Sequence, residues 1–136
     1  MANTVSTSDA VSRLGGLDGL RSLVADFYVR VFDDVMIGYL FKGVDRQRLE
    51  DLEVQFVARF FGHDVAYEGR GMRQAHRHVR ILRGHFLRRR QLLVETLTDH
   101  GVPMDLQVAW LAHVDALMPA VLSSPGAHDD CLEDDA

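Results

Sequence analysis

The sequence runs to 136 residues, carries a formal charge of −5 at pH 7 and is 47% apolar, which suits one domain with a real core and leaves no room for a second. An acidic surface speaks against duplex nucleic acid or an anionic membrane as partner, and neither the first residues nor any later run has the apolar length of a signal peptide or a membrane span. The single cysteine, Cys131, sits in an acidic tail, which excludes a disulfide framework and makes the cytoplasm the expected compartment.

A Ser/Thr-rich start, read as a flexible arm over residues 1–11, precedes Gly15 and Gly16. Asp18 then offers an N-cap. Leu20, Leu23, Val24, Phe27 and Val31 recur on one helical face, predicting a helix to about Phe32. The piece from Met36 to Phe41 is too short for a full helix and reads as a tight turn against the core. A second long helix is predicted from Asp45 to Phe61, with Leu49, Phe56, Val57 and Phe60 on its inner stripe and Glu53 falling among them. The glycine-rich stretch 62–71 has no helical period and reads as an ordered loop leading to Met72 and His76. A third long helix is predicted from His85 to His100, with Phe86, Leu93 and Leu97 inward and Arg89 in line with them, ending at Gly101 and Pro103. The last helix spans Met104 to Val121, with Trp110, Val114, Leu117 and Val121 spaced for burial. The polar residues 123–136 read as a disordered acidic tail. Periodicity alone supports any small helical bundle.

Short segments in a fixed order, LGG at 14–16, DFYVRV at 26–31, LF at 40–41, YEGRGM at 67–72, AH at 75–76, HF at 85–86 and GVP at 101–103, together resemble the truncated haemoglobins, group I in particular. The resemblance covers Leu14 to Val121. It implies an all-α truncated globin over residues 12–122, a two-over-two helical sandwich enclosing non-covalently bound haem b. It places His76 as the proximal ligand to iron and Tyr28 as the distal hydroxyl. Phe27, Phe41, Leu49, Met72 and Phe86 resemble the apolar contacts of the porphyrin, Leu49 standing where some globins have a polar gate. Tyr28 and Glu53 are the catalytic candidates.

Several positions depart from the family pattern. Glutamine is common where Glu53 stands, and an ionised carboxylate accepts hydrogen bonds without donating any. An apolar residue is usual at Arg89. Glu53 and Arg89 are therefore expected to form a partly buried ion pair on the distal side. His63 replaces the second glycine of a usual pair. Pro119 falls where some relatives attach haem through a histidine, so reversible haem binding is expected. His76 and His78 point to different faces and make no zinc site. The run Arg88-Arg89-Arg90 reads as a solvated face with one buried member.

The resemblance implies a globin that binds dioxygen and other diatomic ligands, with nitric oxide dioxygenation as an accompanying activity and a reductase as partner, in a monomer or weak dimer. Two alternatives stay open: a peroxidase-like enzyme using Glu53 with Arg89 or Tyr28 on peroxide, and a haem or redox sensor acting as a binding module.

Overall fold

In the computed structural model, which describes residues 7–69, 71 and 79–122, every regular element among the described residues is helical. They are α1 (Thr7–Arg13), α2 (Gly16–Asp33), a 3₁₀ turn (Gly38–Phe41), α3 (Arg46–Phe60), α4 (Arg83–Asp99) and α5 (Met104–Val121). α2 packs on both α3 and α4, α1 folds onto α2, and α4 pairs with α5. The core is the apolar face predicted for α2, closed by Val54 and Val57 of α3, Leu93 and Leu97 of α4, and Leu106 and Trp110 of α5.

The helix ends follow local chemistry. The Asp45 carboxylate accepts from the Arg48 N–H at 3.2 Å and starts α3. At the other end, Gly62 takes a φ of 83°, its N–H reaches the Arg59 carbonyl at 2.9 Å and the His63 N–H reaches the Ala58 carbonyl at 2.9 Å. That is a Schellman closure, which needs a left-handed residue only at Gly62, so His63 in place of a second glycine leaves the turn intact. Gly101 ends α4 in the same way, with Val102 bonding back to Leu97 at 3.0 Å.

Four expectations change. The flexible arm does not extend through residue 11: Thr7–Arg13 is helical, and Ala10 and Val11 bury themselves in the core. α2 begins at Gly16 behind a left-handed Gly15, which leaves Asp18 in the first turn, where its charge still favours the helix dipole, rather than at the cap. The largest change concerns α3, whose buried stripe is Glu50, Val54, Val57 and Ala58. The expected inner stripe keeps only Val57. Leu49, Glu53 and Phe56 are half-buried and Phe60 is 37% exposed. Leu117 and Val121 of α5 are likewise only half-buried. The apolar pattern of α3 is wide enough for two faces: one packs on α2, and the other is only partly covered by the described residues. The tail 123–136 lies outside the described residues.

Candidate functional site

The partly covered face of α3 carries one polar residue, Glu53, and two other helices bring partners to it. From α2, the Tyr28 hydroxyl donates to Glu53 Oε1 at 3.3 Å. From α4, Arg89 Nη2 donates to the Tyr28 oxygen at 3.2 Å and lies 3.5 Å from Glu53 Oε1. The Arg89 guanidinium is also 4.8 Å from the centre of the Phe27 ring, a cation–π contact that seats it on the apolar floor of the site. The expected Glu53–Arg89 pair is thus present, with side-chain exposures of 17% and 26%, and Tyr28 is its third member.

Burial raises the Tyr28 hydroxyl well above the ordinary phenol range, and the Glu53 charge adds to the effect, so Tyr28 stays protonated at neutral pH. Burial opposes the charge of Arg89 but is outweighed by the Tyr28 oxygen and the Glu53 carboxylate, which hold the guanidinium more firmly charged than usual.

Around this cluster the surroundings are apolar. Phe27 and Phe86 are buried, and Phe41 and Leu49 are half-buried against the core. Phe32 and Phe41 rings lie 5.2 Å apart, continuing the wall toward the 3₁₀ turn. At the far end of α3, His113 of α5 stacks on Phe60 at 4.0 Å and on Phe56 at 5.3 Å. Burial lowers the His113 pKa, and Glu53 acts in the opposite sense. The loop after α3 is tied back to it: Gln55 Nε2 donates to Glu68 Oε1 at 3.1 Å, the Glu68 N–H donates to Gln55 Oε1 at 2.9 Å, and Tyr67 packs edge-on against Phe56. Residues 62–69 form a loop, as their composition suggests.

The arginine run is a partly exposed face with one member, Arg89, turned inward, as its sequence suggests, and its outer members are paired. Arg88 binds Asp34 at 2.6 Å, Arg89 enters the site, and Arg90 binds Asp115 of α5 at 2.7 Å. Asp34 also accepts the Met36 and Ile37 N–H groups and so fixes the corner leading to the 3₁₀ turn. Tyr39 in that turn meets His85 Nε2 at 3.0 Å, while His85 Nδ1 accepts the Leu82 N–H at 3.0 Å. Nε2 of the neutral ring therefore carries the proton and donates to Tyr39. The Arg88–Asp34, Tyr39–His85 and Arg90–Asp115 ties, which join residues 54, 46 and 25 positions apart, have no local signature in the sequence.

His76 and Met72 lie outside the described residues. What is described fits the haem that the sequence resemblance implies: a broad, half-covered apolar face from Phe41 and Leu49 to Phe56, with polar hydrogen-bonding groups gathered at one point on it, beside a loop that leads into the segment bearing His76.

Comparison with known proteins gives the same assignment. The family model for bacterial-like globins matches residues 10–123. A group 1 truncated haemoglobin of Mycolicibacterium paratuberculosis is 33% identical over 80% of this chain and 80% of its own length. One from a Synechocystis strain is 34% identical over 73% of this chain and 83% of its own. Among solved structures, a truncated haemoglobin of Tetrahymena pyriformis with a glutamine replaced by glutamate superposes with a TM-score of 0.74 at 26% identity, covering 83% of this chain and 97% of the other. That glutamine lies 25 residues after a tyrosine replaced by phenylalanine in another structure of the same protein, the interval that separates Tyr28 from Glu53.

Proposed function

Since the chain belongs to the bacterial-like globins, and within them to the group 1 truncated haemoglobins, we propose that it holds haem b through His76 and binds dioxygen and other diatomic ligands reversibly on the Tyr28 side. The observation that carries this reading is the meeting of Tyr28 and Arg89 on an otherwise apolar face. Haem supplies the iron at which a diatomic ligand binds and gains partial negative charge. The chain sets what surrounds that ligand. Phe27, Phe41, Leu49 and Phe86 exclude water, which strengthens any hydrogen bond made inside. Arg89, held by Phe27 and Tyr28, presents N–H groups that favour negative charge nearby. Glu53 fixes both partners and holds the Tyr28 proton. Nitric oxide dioxygenation, with a reductase to recycle the iron, is the activity such a donor set would support.

A peroxidase-like reading has one observation in its favour: a carboxylate and a guanidinium flank the same site at 3.5 Å. The test of the haem reading is the absorption spectrum of the purified protein in ferric, ferrous and carbonmonoxy states, repeated in His76→Gly with and without imidazole. A Soret band that is weakened or shifted in the variant and restored by imidazole is expected. No Soret band in the parent, or one indifferent to the substitution, overturns the reading, and the first of these outcomes leaves a binding module.

A further inference from the structure

Tyr28 has one proton, and the geometry settles where it points. Its oxygen accepts the Arg89 Nη2–H at 3.2 Å, so its own hydrogen is turned to Glu53 Oε1 at 3.3 Å. In this arrangement Tyr28 has no hydrogen left for a third partner. Two other groups do have capacity. Among the described residues, Glu53 Oε2 accepts no hydrogen bond, and Nε and Nη1 of Arg89 donate none. All three contacts within the cluster are between 3.2 and 3.5 Å, longer than the 2.7–2.9 Å typical of a closed charge-assisted pair. The site therefore holds a base and a cation side by side, at zero net charge, neither of them saturated by the other. The remaining titratable groups that sense Glu53 are Tyr67 in the loop, whose hydroxyl is raised by burial and then by the Glu53 charge, and His113 on α5.

We propose that this site is built to split small protic ligands, weak acids HX such as hydrogen peroxide, hydrogen cyanide or hydrogen sulfide, with Glu53 taking the proton and Arg89 facing the anion. The inference rests on the haem reading, which gives X⁻ its other partner. The step balances without oxidant or reductant: the H–X bond breaks, its electron pair stays on X, and an O–H bond forms on a Glu53 oxygen. Before the transfer, Arg89 and Glu53 cancel. Afterwards Glu53 is neutral, and the anion meets an uncompensated guanidinium. A ligand with no proton to give leaves the pair neutral overall and meets only the Arg89 N–H groups, without the net positive charge that proton transfer creates. Selection in this site is accordingly for protic over aprotic ligands, a preference that an amide at position 53 cannot provide.

The test uses the ferric holoprotein and cyanide at neutral pH, where the probe is HCN, with carbon monoxide on the ferrous holoprotein as the aprotic control. Association rates come from the Soret change. Glu53→Gln is expected to slow cyanide association by about 10²-fold, the low end for a positioned proton acceptor, and to change carbon monoxide association far less. Arg89→Leu is expected to speed cyanide release. A second readout needs no variant: infrared difference spectra of the parent should gain a carboxylic-acid C=O band when cyanide binds, and Glu53→Gln should lack it. Equal responses of cyanide and carbon monoxide to Glu53→Gln, or no carboxylic-acid band in the parent, overturn the proposal while an intact Soret band leaves the haem reading standing. A parent protein without a Soret band overturns both.

Discussion

Arg88 and Arg90 each close on a single carboxylate, Asp34 at 2.6 Å and Asp115 at 2.7 Å, whereas Arg89 between them holds its two partners at 3.2 and 3.5 Å. Successive residues on a helix point about 100° apart, so one run of three identical side chains reaches three different neighbours. The outer two pin α4 to the corner after α2 and to α5. The inner one meets a hydroxyl and a carboxylate on the partly covered face of α3. Short, two-point pairs belong to the fold. A slack pair on an apolar face has donors and acceptors to offer a ligand, and that difference is what the following substitutions probe.

The largest effect on stability is expected at the outer corner. Asp34→Ala removes the Arg88 pair together with the acceptor for Met36 and Ile37 N–H, and should cost about 2–3 kcal/mol in chemical denaturation. The same group gives a pH signature. The Arg88 hydrogen bond, opposed in part by burial and helped by the two backbone N–H groups, holds the Asp34 carboxyl below the ordinary aspartate range. A carboxyl with a depressed folded pKa contributes stability above its unfolded value that is lost as pH falls through the folded one. Asp34→Asn should flatten the acid limb of the stability profile, and a profile unchanged from the parent would remove Asp34 from this role.

At the inner cluster, Glu53→Ala leaves Arg89 with only Tyr28 as polar partner. Full burial of an unpaired charge costs about 3–5 kcal/mol; because Arg89 is 26% exposed, about 1–2 kcal/mol is the expected loss. Glu53→Ala combined with Arg89→Leu should recover most of it, since no charge is then left alone. Simple additivity of the two substitutions would show that the contact is incidental.

Much of this could be read from the sequence, and the reasons differ by element. The five core positions of α2 obey one period and were placed correctly. Glu53 and Arg89 were legible as a pair because each interrupts an apolar stripe, and a buried charge demands a partner. α3 was misread because Leu49, Phe56 and Phe60 have the chemistry of core residues, and on a helix that is apolar on two sides periodicity cannot tell which side packs on the core. α1 was missed because its sequence, TSDAVSR, carries too few apolar residues to show a period. Tyr28 as the shared member of the ion pair depends on three helices meeting, a tertiary fact with no local signature.

His113 borders the inner cluster from α5, and its effect is smaller because it is a single half-buried imidazole. Burial lowers its pKa below the ordinary value near 6.5, with Glu53 opposing the shift. The unfolded chain therefore takes up the proton first on acidification. Stability contributed by the neutral, stacked ring is present above about pH 6.5 and is lost as pH falls through the folded value. His113→Leu should remove that slope below about pH 6.5 while retaining apolar contact with Phe56 and Phe60. A slope of equal size in the variant would assign it to another group.

The smallest effect belongs to Arg90→Ala. Its pair with Asp115 is well formed, at 2.7 and 3.0 Å, yet the two side chains are 32% and 45% exposed. Solvent screens such a pair, and ordering two long side chains offsets much of the attraction, so the loss should be about 0.5 kcal/mol or less and should shrink further in high salt. Short distance alone is thus a poor guide to stability: the loosely held Arg89 should matter more than Arg90, whose shorter pair has both members exposed. A loss at Arg90 that equals the loss at Glu53, and that survives high salt, would mean that the run acts as one coupled network along α4, and the separation between fold-bearing and ligand-facing arginines would have to be given up.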